Sequence, residues 1–357
     1  MSTRRTALIM AGGTGGHIFP GMAVAHALRA QGWQVHWLGG PAPSMESQYV
    51  PPQGFAYEPV NFSGVRGKGL KTIALLPFKL LRAFWQSWRV MRRVQPDVVV
   101  GLGGYITFPA GLMAALCNKP LILHEQNSIA GMANKVLAKV AKRVFTAFPD
   151  VLPRAQWIGN PLREGFIQQA APAERFALRE GPLRLVVVGG SLGAQALNNL
   201  VPQALRLIPP QQRPTVLHQS GAKQMDALRE AYAQAGVQAE LTPFIEDTAQ
   251  AFAQADLVIA RAGASTVTEL AAIGVAAIYV PFPHAVDDHQ TTNAKFLVDA
   301  QGGWLIPQQA LKAQDLADRL QFLTRRTLLT CAEHAYAMRQ IDATEKMVQA
   351  CEQECQA

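Results

Sequence analysis

Short unbroken apolar runs along this chain alternate with stretches whose apolar positions recur every three or four residues. Residues 6–10 read as a buried strand, which runs into Ala11-Gly12-Gly13-Thr14-Gly15-Gly16-His17. A helical pattern begins near Pro20, with Met22, Ala25, His26 and Leu28, and stops by Gly32. Residues 33–38 form the next strand, so the opening is a β-loop-α-β unit with a glycine-rich turn where strand feeds helix. The pattern returns at 183–188, followed by Gly189-Gly190-Ser191-Leu192-Gly193-Ala194 and a helix over 195–207. Further strands fall at 98–101, 121–124 and 144–146, and in the second half at 215–219, 257–260 and 276–280.

Strands alternating with helices predict an α/β chain with a parallel sheet in each half, that is, two Rossmann-like domains. A chain of 357 residues also exceeds the usual size of one core. The proline-punctuated stretch 148–162 lacks periodicity and marks the boundary, giving domains 1–162 and 163–340. A last helical segment, 326–354, is expected to carry residues 341–357 back onto the first domain. The two glycine-rich turns lie at the carboxyl ends of their strands, so both sheets are expected to face one interdomain cleft.

Composition adds modestly to this picture. Hydrophobic residues make up 49% and charged residues 16%, which excludes a disordered chain. The net charge of +8 favours an anionic partner without choosing among nucleic acid, phosphorylated metabolites and an anionic membrane. Cys117, Cys331, Cys351 and Cys355 show no Cys-x-x-Cys spacing and fit a reducing compartment. No run is long and apolar enough to span a bilayer, and the N-terminus lacks the pattern of a secretory signal.

The glycine turns admit two readings, tight strand-helix corners or cradles for a pyrophosphate at a helix start. Arg261-Ala262-Gly263-Ala264-Ser265-Thr266-Val267-Thr268-Glu269 follows a strand and opens a helix. Small residues and hydroxyls there suit an anion, and Glu269, near the end of the first turn, suits the two hydroxyls of a ribose. The alternative is a capping box between Ser265 or Thr266 and Glu269. The polar loop 281–294 suits sugar hydroxyls; a metal site at His284, Asp287, Asp288 and His289 lacks further ligands. The chain has no Asp-x-Asp pair to hold a metal on a pyrophosphate, so loops and helix ends are expected to neutralise the leaving group.

His17, beside the glycine turn, suits a general base, and Glu125 in His124-Glu125-Gln126-Asn127 suits its orientation or replacement. Ile73, Leu76, Leu80, Leu81, Phe84, Trp85, Trp88 and Met91 recur at helical spacing among Lys68, Lys71, Lys79, Arg82, Arg89, Arg92 and Arg93, with no acidic residue. Apolar and aromatic residues rimmed by cations describe a helix lying on a membrane; the alternative is a core helix with a basic outer face.

Taken together, Gly12-Gly13-Thr14-Gly15-Gly16-His17-Ile18-Phe19-Pro20-Gly21, Gly103-Gly104-Tyr105, His124-Glu125-Gln126-Asn127, Gly159-Asn160-Pro161-Leu162-Arg163, Gly189-Gly190-Ser191 and Ser265-Thr266-Val267-Thr268-Glu269 resemble the MurG family of bacterial glycosyltransferases, in order and over the whole chain. The resemblance implies a GT-B fold, no cofactor and no metal. It also implies inverting transfer of N-acetylglucosamine from its UDP ester to the C4 hydroxyl of a lipid-linked muramyl-pentapeptide, converting lipid I to lipid II in peptidoglycan synthesis. Donor contacts would fall to Thr14, Gly15, Gly16, Asn127, Arg163, Ser191, Ile245, Ala264, Ser265, Thr266, Val267, Thr268, Glu269 and Gln290. Ile245 would reach the uracil through its backbone, Glu269 the ribose, and Asn127 and Gln290 the sugar.

The resemblance further implies a peripheral protein on the cytoplasmic face of the inner membrane. Its partners would be an anionic phospholipid surface and other cell-wall and division proteins, and no nucleic acid. On the membrane reading of the basic aromatic stretch, contact would fall to Ile73, Leu76, Leu80, Phe84, Trp85, Trp88, Lys79, Arg82 and Arg89. Leu192 stands where many members carry Gln, and the varied segment 285–289 leaves Gln290 and His289 as rival sugar contacts. A UDP-sugar 2-epimerase on a similar fold needs no lipid acceptor, and the basic aromatic stretch counts against it. A membrane-docked sugar-nucleotide sensor would bind without turnover.

Overall fold

The computed structural model describes residues 4–62, 75–177, 179–190 and 193–356. They form two compact units, Met1–Arg163 with Ile341–Ala357, and Glu164–Gln340. The first unit opens with β1 (Thr6–Met10), α1 (Gly15–Ala30), β2 (Gln34–Gly39), α2 (Met45–Tyr49) and β3 (Ala56–Pro59). It continues through α3 (Leu76–Val94), β4 (Val98–Gly101), α4 (Thr107–Leu116), β5 (Leu121–Glu125), α5 (Met132–Leu137), β6 (Arg143–Thr146) and β7 (Gln156–Trp157). These strands make one parallel sheet in the order β3-β2-β1-β4-β5-β6-β7.

The apolar run of β1 is continuous because the sheet is covered on both faces. Ala7 and Ile9 pack with Ile18, Val24 and Leu28 of α1. Leu8 and Met10 point the other way, against Ala83 and Met91 of α3 and Ala110 and Ala114 of α4. Each fully buried side chain such as Leu8 or Ile9 contributes about 1.5–3 kcal/mol.

The second unit runs α6 (Glu164–Ile167), α7 (Pro172–Ala177), β8 (Arg184–Val188), α8 (Gln195–Leu207), β9 (Thr215–Gln219), α9 (Met225–Ala235) and β10 (Glu240–Thr242). Then come α10 (Thr248–Gln254), β11 (Leu257–Ala260), α11 (Ala264–Ile273), β12 (Ala276–Tyr279), α12 (His289–Val298), β13 (Gly303–Leu305), α13 (Ala313–Phe322) and α14 (Arg325–Ala337). The sheet is again parallel, ordered β10-β9-β8-β11-β12-β13. Leu185, Val187, Ile259 and Ile278 pack under Leu197, Val201 and Leu205 of α8.

The expected single helix over 326–354 is two helices, α14 and α15 (Ala343–Glu354). The chain breaks between them because each buries its face in a different core. Leu328, Cys331 and Ala332 of α14 join the second unit's core. Ala343, Met347, Val348 and Cys351 of α15 join that of the first. Arg143 adds a 2.8 Å ion pair to Glu354 on this last helix.

Candidate functional site

In the first unit the site is built at the carboxyl ends of β1, β4 and β5. The helix expected near Pro20 starts at Gly15, five residues earlier, with Thr14 as its extended N-cap. The Thr14 carbonyl accepts from the N–H groups of His17 and Ile18, so Gly15, Gly16 and His17 make the first turn and Pro20 lies inside the helix. Gly103, at φ +93°, turns the loop after β4 so closely over His17 that a Cβ there would lie 2.6 Å from the imidazole Nδ1. Gly104 is pressed in the same way onto the Gly12 carbonyl.

His17 is half-buried. Its Nδ1 lies 3.0 Å from Oε1 of Gln126. The Gln126 Nε2 lies 3.1 Å from Nδ1 of His124, and the His124 Nε2 lies 2.9 Å from the Gly159 carbonyl. His124 is fully buried, and burial pushes its pKa down to about 4.

The carboxylate of Glu125, the second candidate base, is engaged by its own loop. Glu125 is buried and accepts from the N–H groups of Asn127 at 2.9 Å and Gly131 at 3.1 Å and from the Asn134 amide at 2.8 Å. It holds the loop that carries Asn127. Glu46 of α2, absent from the expected site, does the same for the glycine turn. Buried at the ends of β1 and β2, it accepts from the N–H groups of Gly13 at 3.2 Å and Gly40 at 2.9 Å. The Gly13 N–H therefore points at a protein carboxylate. Arg163, exposed at the end of this unit, has its guanidinium 5.3 Å from the Phe19 ring centre.

In the second unit Gln219, at the end of β9, joins the loops after β8 and β10, and the loop after β11 opens α11. Ser191 and Leu192 lie outside the described residues. Around them, Gly193 sits at φ +76° directly beneath the Ser220 carbonyl, with no room for a Cβ. The Gln219 side chain donates to the Gly190 carbonyl at 3.0 Å and accepts from the Ile245 N–H at 2.9 Å. A base contact through that N–H therefore has to displace Gln219.

Helix α11 begins at Ala264 on an N-cap of Gly263 with no side-chain cap bond, so the alternative reading, a capping box from Ser265 or Thr266, is not formed. The early start leaves the N–H groups of Ala264, Ser265 and Thr266 at the open end of the helix. It also moves Glu269 into the second turn, where its side chain is half-exposed. Val267 is fully buried and its N–H bonds to the Gly263 carbonyl, while the Thr268 hydroxyl bonds back to Ala264 and Ser265. The side chains of Val267 and Thr268 thus serve the helix and its core. The Ser265 hydroxyl is buried with no hydrogen-bond partner among the described residues. Asn293 steadies the approach by donating to the Ala262 carbonyl at 3.1 Å. Gln290 accepts from the Phe282 N–H at 2.9 Å, which fixes the loop at the start of the polar segment. Among the described residues no three His, Cys, Asp or Glu side chains gather as a metal site.

On α3, periodicity misassigned part of the outer face. Ile73 lies outside the described residues. Leu76, Leu80 and Phe84 are half-buried, and the Phe84 ring centre lies 6.4 Å from that of Phe108 of α4, the two rings tilted by 58°. They continue the inward stripe of Ala83, Ser87, Val90 and Met91. The opposite side carries Phe78, Leu81, Trp85 and Trp88, spaced by three, four and three and exposed by 70, 67, 54 and 42%. Lys79, Arg82 and Arg89 are exposed, and the Arg89 and Arg92 guanidinium groups stand 4.9 and 5.8 Å over the Trp85 and Trp88 rings. Leu116 of α4 and Met132 and Val136 of α5 are exposed too, with Lys135 and Lys139 near them in sequence. Among the described residues no helix is long and apolar enough to cross a membrane.

Comparison with known proteins assigns the whole chain. Residues 7–146 match the glycosyltransferase family 28 N-terminal domain, and residues 184–351 match its C-terminal domain. The UDP-N-acetylglucosamine--N-acetylmuramyl-(pentapeptide) pyrophosphoryl-undecaprenol N-acetylglucosamine transferase of Paracidovorax citrulli is 67% identical, with 99% of each chain covered. The protein of the same name from a Polaromonas species is 69% identical over 98% of this chain and 91% of its own. Among solved structures, Acinetobacter baumannii MurG matches with a TM-score of 0.84 and 39% identity over 98% of this chain and 99% of that one. The calicheamicin glycosyltransferase CalG4, at 15% identity and a TM-score of 0.69 over 99% of this chain and 98% of that one, shares the GT-B fold. The chain belongs to the MurG family of glycosyltransferases.

Proposed function

We propose that this enzyme moves N-acetylglucosamine from UDP-N-acetylglucosamine to the C4 hydroxyl of undecaprenyl-pyrophosphoryl-N-acetylmuramyl-pentapeptide, the lipid I to lipid II step of peptidoglycan synthesis. The observation that carries the reading is 67–69% identity, over nearly the full chain, to transferases bearing that name. In this reading the second unit holds the donor. The open N-terminus of α11 and the buried, unpartnered Ser265 hydroxyl suit an anionic, hydroxyl-rich ligand, and Glu269 suits the ribose. The first unit receives the acceptor.

The reaction is a single inverting displacement. The C4 hydroxyl gives its proton to His17 as its oxygen bonds to the anomeric carbon. The bond from that carbon to the diphosphate oxygen breaks on the opposite face, and UDP leaves. Backbone N–H groups and helix ends stabilise the charge that develops on the diphosphate, an electrostatic contribution that needs no reorganisation during the step.

The outward face of α3 supports peripheral attachment to an anionic phospholipid surface, which for a lipid-linked acceptor is the cytoplasmic face of the inner membrane. Four exposed apolar side chains and flanking guanidinium groups are the chemistry of a helix lying in a headgroup layer.

UDP release measured with and without a short-chain lipid I analogue tests the reading. Release is expected to require the analogue and to yield the β(1→4) disaccharide. Epimerised sugar formed from UDP-N-acetylglucosamine alone would overturn it.

A further inference from the structure

The imidazole of His17 does not stand alone, and its hydrogen-bond chain has only one consistent polarity. The Gly159 carbonyl can only accept, so His124 Nε2, 2.9 Å away, must carry a proton. His124 is fully buried, and its pKa of about 4 keeps the ring neutral, so its Nδ1 is a lone pair. That lone pair needs a donor, which orients the Gln126 amide with Nε2 toward His124 at 3.1 Å. The Gln126 oxygen then faces His17 Nδ1 at 3.0 Å and can only accept. The opposite amide orientation would set Nε2–H of Gln126 against His17 Nδ1 and demand a proton on His124 Nδ1. His124 would then have to be a buried cation.

We propose that Gln126 and His124 are positioning residues that lock His17 in its Nδ1–H tautomer, leaving Nε2 as the basic nitrogen directed at the acceptor. The proposal rests on the reading of His17 as base and adds which nitrogen acts and what sets it. When Nε2 takes the C4 proton, the positive charge formed on the ring is shared with the Gln126 oxygen through Nδ1–H, and no proton moves along the chain. The anchor at Gly159 lies 35 residues from His124, and Gln126 lies 109 residues from His17, so the tautomer is fixed by the fold of the whole first unit. Gly103 contributes by clearance, since any side chain there would push the ring off Gln126.

The experiment is 15N NMR of the full-length enzyme labelled at histidine, with His17 assigned by comparison with His17→Ala. The wild-type spectrum is expected to show a protonated Nδ1 and an unprotonated Nε2 at His17. The Nε2–H tautomer there would overturn the proposal with no variant needed. Gln126→Met, similar in size but without the amide, is expected to lose the tautomer preference and to lower kcat about 100-fold with the KM for UDP-N-acetylglucosamine little changed. Normal kcat in Gln126→Met, with the wild-type tautomer as stated, would also overturn it while leaving His17 as base. Near-normal turnover in His17→Ala would instead remove the base reading itself, and the proposal with it.

Discussion

The backbone N–H of Ile245 donates to the side-chain oxygen of Gln219 at 2.9 Å, and the nitrogen end of the same amide donates to the Gly190 carbonyl at 3.0 Å. One buried side chain at the end of β9 thus ties the glycine loop after β8 to the segment after β10. Both loops belong to the donor side of the proposed reaction. Gln219→Ala leaves a buried N–H and a carbonyl without this partner, each costing about 1–3 kcal/mol where water cannot replace it. Calorimetric titration with UDP-N-acetylglucosamine is expected to show binding weakened at least about ten-fold, the equivalent of 1.4 kcal/mol. An unchanged Kd would show that the loops hold their places without Gln219.

The outward stripe of α3 makes a prediction that separates membrane binding from chemistry. Replacing Phe78 and Trp85 with Ser removes two large apolar groups whose burial in a headgroup layer is worth about 1.5–3 kcal/mol each. Co-sedimentation with vesicles containing anionic phospholipid should fall more than about ten-fold and should weaken further as salt rises. Turnover of a short-chain, water-soluble acceptor should be retained. Equal loss on the soluble acceptor would place these residues in the fold or the site instead of on a membrane face.

Glu125 is a test of position against chemistry. Three donors converge on its buried carboxylate, so Glu125→Ala leaves them unsatisfied and is expected to cost about 3 kcal/mol in urea unfolding. Glu125→Gln keeps the shape and most of the bonds but cannot act as a base. It should retain most of its turnover, whereas collapse of kcat with intact stability would make Glu125 the proton acceptor in place of His17.

What could be read in advance divides along the range of the interactions. The strands β1, β4, β9 and β11 and the helix α8 coincide with their apolar patterns because both faces of each sheet are covered and the pattern is local. The apolar pattern places the start of α1 too late because Gly15-Gly16 has little helix propensity of its own; the turn at Gly13 and the Thr14 carbonyl start the helix regardless. Short strands such as β7, two residues long inside an apparently aperiodic stretch, leave almost no pattern. On α3 both faces are apolar, so spacing shows a stripe without showing which stripe faces the core. The spacing puts Leu80 and Phe84 on the outer face, whereas they are half-buried and Phe78 carries the exposed surface. The roles of Glu46, Gln126 and Gln219 are not legible in the sequence, because each completes its contacts with a partner 33, 109 or 26 residues away, and even the motif around Gln126 does not show that it reaches His17.

Acidification should expose the two buried imidazoles. Burial pushes His124 down to about 4 and His218 down to about 3, and His218 is held neutral between the Tyr232 hydroxyl at 2.9 Å and the Asn198 amide oxygen at 3.1 Å. In the unfolded chain both take up a proton near pH 6.5, while in the folded chain neither does until the pH is well below 5. Between these limits the unfolded state binds more protons, so stability falls as pH falls, by about 1.4 kcal/mol per pH unit for each histidine. His124 lies in the first unit and His218 in the second. Urea unfolding is therefore expected to weaken in both units from pH 7 to pH 5, before most carboxylates titrate. His218→Gln should flatten the dependence in the second unit and leave that of the first. Equal stability at pH 7 and pH 5 would mean that these imidazoles gain a proton in the folded state, and His124 could then no longer fix the direction of the hydrogen bonds that reach His17.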